Sequence, residues 1–157
     1  MKKHILSALF VIVGSISSYS QFNENGYKQL ELGIDKIEAN KIVSFKQSDD
    51  YPKVVFDGIE LELMFVELDK PTLYSVKTNS PNAKIEGVSE NLIGKNHKEI
   101  KTILGDKLVA FDDDSGSNVK YHIYYKDKNA EKNYMSSCVL EFDENGILES
   151  IFSAYNP

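Results

Sequence analysis

No arginine occurs in this chain; all 18 basic residues are lysine. Without a guanidinium there is no planar, bidentate clamp for phosphate or carboxylate, which weakens any case for specific phosphate recognition. Cysteine is as scarce, since Cys138 stands alone. A single thiol closes no disulfide within the chain, so stability has to come from packing. Cys138 alternates with Leu140 and Phe142, which predicts a buried, inert thiol. Catalytic signatures are missing too: there is no Gly-x-Ser-x-Gly elbow, no Walker glycine loop and no dinucleotide fingerprint.

Long apolar runs are also lacking. Residues 5–13 are apolar behind the basic head Met1-Lys2-Lys3-His4, but that stretch is too short to span a bilayer, and Ser18-Tyr19-Ser20 offers small residues around a cut. The expectation is a signal peptide over residues 1–20, cleaved before Gln21, with no membrane insertion afterwards. No cysteine follows the apolar run, which closes the lipoprotein route. A soluble periplasmic or secreted product of roughly 137 residues follows, long enough for one cooperative core. Its 24 acidic residues face the 18 lysines less Lys2 and Lys3, a formal charge of -8. So acidic a surface disfavours nucleic acid and anionic lipid as partners.

What the chain does have is an internal echo. Leu32-Gly33-x4-Glu38 recurs as Ile93-Gly94-x4-Glu99, with apolar residues at matching offsets (Ala39, Ile42 and Val43; Ile100, Ile103 and Leu104) as short amphipathic helices require. The first helix is expected from about Tyr27 or Gly33 to Val43, after a polar lead-in over residues 21–26. The second is expected from about Asn96 to Leu104, stopped by Gly105. Strand-like runs follow each: residues 54–56 and 59–66 around the hairpin signal Asp57-Gly58, then 73–78; and 107–111, 119–126, 135–142 and 147–154. The fold class expected is α+β: an antiparallel sheet with short helices packed on one face, in two degenerate α-β-β-β repeats (about 27–78 and 88–154) of a single mature domain.

The helix opened by Ile93-Gly94-Lys95-Asn96-His97-Lys98-Glu99-Ile100, with the strands that finish in Leu140-Glu141-Phe142-Asp143-Glu144-Asn145-Gly146-Ile147-Leu148, resembles the fold shared by the beta-lactamase-inhibitor-protein-like group and the SmpA/OmlA-type outer-membrane assembly lipoproteins. The resemblance covers residues 88–154 and, weakly, 30–78. It implies an exported binding or inhibitor-like module with no cofactor. This chain lacks the lipobox cysteine of the lipoproteins and the disulfides of the inhibitor group.

The residues by themselves point to no catalytic, cofactor or metal site. His97 falls at a helix start and His122 on the polar side of a strand, so both read as surface histidines. Asp112-Asp113-Asp114-Ser115-Gly116-Ser117-Asn118 resembles a calcium loop, but counting from Gly116 as the sixth position puts His122 where the bidentate glutamate belongs. That loop reads as a solvated turn, with adventitious calcium as the alternative. Glu60 with Glu62, and Glu141 with Glu149, read as solvated outward carboxylates.

Strand alternation assigns Ile59, Leu61, Leu63, Phe65, Val119, Tyr121, Ile123, Tyr125, Cys138, Leu140, Phe142, Leu148 and Phe152 to the core. The opposite face then carries a candidate protein-binding patch of Met64, His122, Tyr124, Val139, Glu141 and Ile151. The function expected is a non-enzymatic, exported protein-binding module, an inhibitor or immunity-type protein in one version. The alternative is a periplasmic envelope-assembly or structural factor.

Overall fold

A computed structural model describes residues 21–23, 25–67, 69–105, 108–111, 122–125 and 136–155, with 108–111, 122–125, 136, 137 and 155 described by their backbone. The expected leader, the acidic loop at 112–118, Val119 and Tyr121 lie outside the described residues.

Seven strands form the main sheet: β4 (Lys53–Phe56), β5 (Ile59–Glu67), β6 (Pro71–Thr78), β8 (Leu108–Phe111), β9 (His122–Tyr125), β10 (Ser136–Phe142) and β11 (Leu148–Tyr155), in the order β4-β5-β6-β11-β10-β9-β8, antiparallel throughout. Two short helices, α1 (Lys36–Ile42) and α2 (His97–Leu104), contribute Ala39, Ile100 and Leu104 to the core on one side of that sheet. The α+β architecture is therefore present.

The polar lead-in is instead structure. Residues 21–31 hold three short strands, β1 (Gln21–Asn23), β2 (Gly26–Tyr27) and β3 (Leu30–Glu31), and with β7 (Lys84–Ile85) they make a second sheet ordered β3-β2-β1-β7. Phe22, Tyr27, Leu30 and Ile85 are fully buried and belong to the same core as Leu61, Leu63 and Leu140. Strands of two or three residues are too short to show alternation, which is why composition alone reads them as loop. Burial decides here, since each large apolar side chain removed from water contributes about 1.5–3 kcal/mol. Helix α1 accordingly starts at Lys36, after Gly33.

Both helices begin in the same way. Asp35 caps α1 by accepting a hydrogen bond from the Glu38 backbone N–H (2.8 Å), and Asn96 caps α2 by accepting one from Glu99 (3.0 Å). In α2 the Glu99 carboxylate reaches back to the Asn96 N–H, completing a capping box. The preceding glycines hold the positive φ that L side chains resist, +90° at Gly33 and +86° at Gly94. Each clips its helix to the last strand of its own half: Gly33 N–H to Leu73 O (2.9 Å) with Leu73 N–H to Ile34 O (2.8 Å), and Gly94 N–H to Leu148 O (2.9 Å) with Leu148 N–H to Lys95 O (2.8 Å).

The strand pairs correspond as closely. Between β5 and β6 the register slips from Met64↔Ser75 to Phe65↔Leu73, so Tyr74 is an extra, unopposed residue. Between β10 and β11 it slips from Glu141↔Ser150 to Phe142↔Leu148, and Glu149 is the extra one. A bulge reverses the parity of inward and outward positions along its strand. Leu73 and Val76 both face the core, as do Leu148 and Ile151, although each pair is three residues apart.

Candidate functional site

The bulge at Glu149 corrects two assignments. Uninterrupted alternation from Leu148 places Ile151 on the exposed face and Phe152 in the core; instead Ile151 is 0% exposed within the core, and Phe152 lies half-buried on the far face opposite Val139. Val139 does face away from the core, but at 3% exposure it is not accessible. Met64 and Glu141 lie half-buried on that face, as expected. His122 and Tyr124 pair through their backbones with Glu141 and Val139, and their side chains are among those not described.

The described helices and the small sheet all pack on the core side. On the other side, Tyr51, Met64 and Phe152 line a groove of about 230 Å³ together with Ser75, Glu62, Lys77 and Glu141. Tyr51 is 58% exposed. It follows the turn cluster at residues 48–50 and is held by its backbone N–H on the Asp49 carboxylate (2.9 Å). Alternation could not assign it, because it precedes the strand.

Charge on this face is largely tied up. Lys77 donates to Glu141 (2.5 Å), which also accepts from the Ser150 hydroxyl (2.5 Å), and Lys77 lies 5.9 Å from the Phe152 ring centre. Glu141 is thus no simple solvated carboxylate. Lys53 pairs with Glu62 across β4 and β5 at 3.4 Å. Beside the groove, a smaller polar notch of about 90 Å³ is lined by Glu60, Glu62, Lys77, Asn79, Glu149 and Ser150, among others.

His97 is not a bare surface residue: its ring sits edge-on to Phe142 at 5.7 Å. The corresponding residue of α1, Lys36, is buried over Phe65 at 5.3 Å while reaching Asp50 (2.7 Å). Cys138 is fully buried, as its alternation implies. Among the described residues no three His, Cys, Asp or Glu side chains gather as a metal site would need, and no helix is long and apolar enough to cross a membrane.

Asp35 and Asp143, both half-buried, have carboxyls held below the usual range. The Lys70 ammonium and then the Glu38 backbone N–H lower Asp35; the Ile147 backbone N–H chiefly lowers Asp143 at the turn before β11. Both serve the scaffold, not the groove.

No protein-family model matches the chain, and no curated protein does. Among solved structures it is similar to an extracellular protein containing a SCP domain from Bacillus anthracis, at 10% identity and a TM-score of 0.40, over 92% of this chain and 50% of that one. The chain thus spans about half the length of that protein.

Proposed function

We propose that this chain is an exported, non-enzymatic protein-binding module that meets its partner with the open face of the main sheet, in an inhibitor or immunity-type role. The observation that carries the reading is a contrast between its two halves. Across the core the equivalent positions keep their apolar character: Leu61 with Cys138, Leu63 with Leu140, Phe65 with Phe142, Leu73 with Leu148, Val76 with Ile151. On the open face they do not, for Glu62 corresponds to Val139, Met64 to Glu141 and Lys77 to Phe152. Packing demands the first pattern; a surface with no binding role would have no need of an apolar groove within the second.

The size of the groove favours a protein side chain over a small metabolite, whose pockets run to roughly 300–1,000 Å³ and enclose their ligand. The test is affinity capture from the extracellular and envelope fractions of the source cell, with the wild-type chain beside the double variant Met64→Glu/Phe152→Glu. The expected result is a stoichiometric protein retained by the wild type and lost from an equally well folded variant. Equal retention by both would place the binding surface elsewhere.

A further inference from the structure

We propose that the occupant of the open sheet face is a basic segment of the partner protein, one that sets a large apolar side chain between Tyr51, Met64 and Phe152 and a lysine or arginine against Glu60 and Glu149. This rests on the protein-binding reading above and adds the chemistry of the partner.

The groove and the notch are adjacent, since Glu62 and Lys77 line both. An incoming strand or loop can therefore fill the two with neighbouring side chains. The groove is lined by the aromatic side chains of Tyr51, just before edge strand β4, and Phe152 of the central strand β11, together with the thioether of Met64 on β5, a lining suited to an aromatic or aliphatic anchor.

Charge complementarity selects the other side chain. The notch has four charged groups besides Lys77: Lys53, Glu60, Glu62 and Glu149. Lys53 is engaged by Glu62 and Lys77 by Glu141. Glu60 and Glu149 are exposed, and no lysine among the described residues pairs with either. An acidic partner would meet these two carboxylates and a chain of net charge -6; a second copy of this chain would meet the same repulsion. A basic segment neutralises both carboxylates without disturbing either existing ion pair.

The test titrates the isotopically labelled protein with two short peptides, one alternating phenylalanine with lysine and one alternating phenylalanine with glutamate, and follows amide chemical shifts. The expected result is saturable binding of the lysine peptide alone, with shifts concentrated on Met64, Ser75, Lys77, Glu149 and Phe152. The double variant Glu60→Gln/Glu149→Gln is expected to weaken it about two- to five-fold per carboxylate, and added salt to weaken it further. Equal binding of both peptides, no binding of either, or shifts that map to another surface overturns the proposal. Failure here is separable from failure of the wider reading. A captured protein partner whose affinity ignores the two glutamines and salt leaves a binding module with a different kind of partner, whereas a face that binds the lysine peptide but captures no protein argues against the module itself.

Discussion

Lys77 and Phe152 lie directly opposite each other where β6 meets β11, and they occupy the same position in the two halves of the chain. To one side of them Val76 faces Ser153; to the other Thr78 faces Ile151, the equivalent pair with the halves exchanged. A local two-fold axis therefore passes through this pair. It relates the Lys77–Glu141 ion pair to the apolar neighbours Phe152 and Met64, so that one diagonal of the groove is charged and the other greasy.

The corrected register makes a quantitative claim. Ile151→Ala should cost about 2–5 kcal/mol, as for other large-to-small core changes, while Phe152→Ala should cost clearly less because its ring is only half-buried. Urea unfolding of the two variants checks it; a larger loss at Phe152 would restore uninterrupted alternation along β11.

Acid should loosen the start of α1. Asp35 has its carboxyl lowered below the unfolded value of 3.8, chiefly by Lys70. Its contribution is fully present above that value and is lost as the pH falls through the lower, folded one. At α2 the cap itself, Asn96, carries no carboxyl, and the acid group of that capping box is Glu99. Amide exchange followed from about pH 5 down to about pH 2 should show the protection of residues 36–42 falling, and the fall should be smaller in Asp35→Asn.

Removing the uncharged cap tests the same motif at neutral pH. Asn96→Ala strips one acceptor from the Glu99 N–H and dissolves the capping box, and is expected to destabilise the protein by about 1 kcal/mol. Thermal unfolding measures the loss; Asn96→Asp, which keeps an acceptor for the Glu99 N–H, should retain most of the stability at neutral pH.

Two glycines should respond unequally to alanine. At Gly94 a Cβ meets nothing within 4 Å, leaving only the strain of a positive φ, about 1–2 kcal/mol. At Gly26, where φ is +130°, the same atom would stand 2.2 Å from the Leu30 carbonyl oxygen, so β2 and β3 would have to separate. Gly26→Ala should therefore be the more damaging in denaturant titration.

The helices and long strands were legible because their signals are local: Gly33 and Gly94 with Glu38 and Glu99 marked the helix starts, and Asp57-Gly58 marked the first hairpin. The small sheet was not, because β2 and β3 have two residues each and become strands only through their neighbours. Part of the candidate face was legible as well. Met64 and Glu141 follow from simple alternation, since both stand before the bulge in their strand pairs. Ile151 stands beyond it, and no residue type at Glu149 announces a bulge; only the partner strand reveals that one residue has no opposite number. Tyr51 and Phe152 entered the groove for reasons of chain path, which pairwise periodicity does not encode.

The unopposed residues Tyr74 and Glu149 also limit how this chain can change in length. Losing either one would rotate the remainder of its strand by half a turn, sending Val76 or Ile151 toward water and drawing Lys77 or Phe152 inward. Insertions and deletions in descendants of this sequence should therefore gather in the connections between strands, and gaps falling inside β6 or β11 should be selected against even where the lost side chain touches nothing of value.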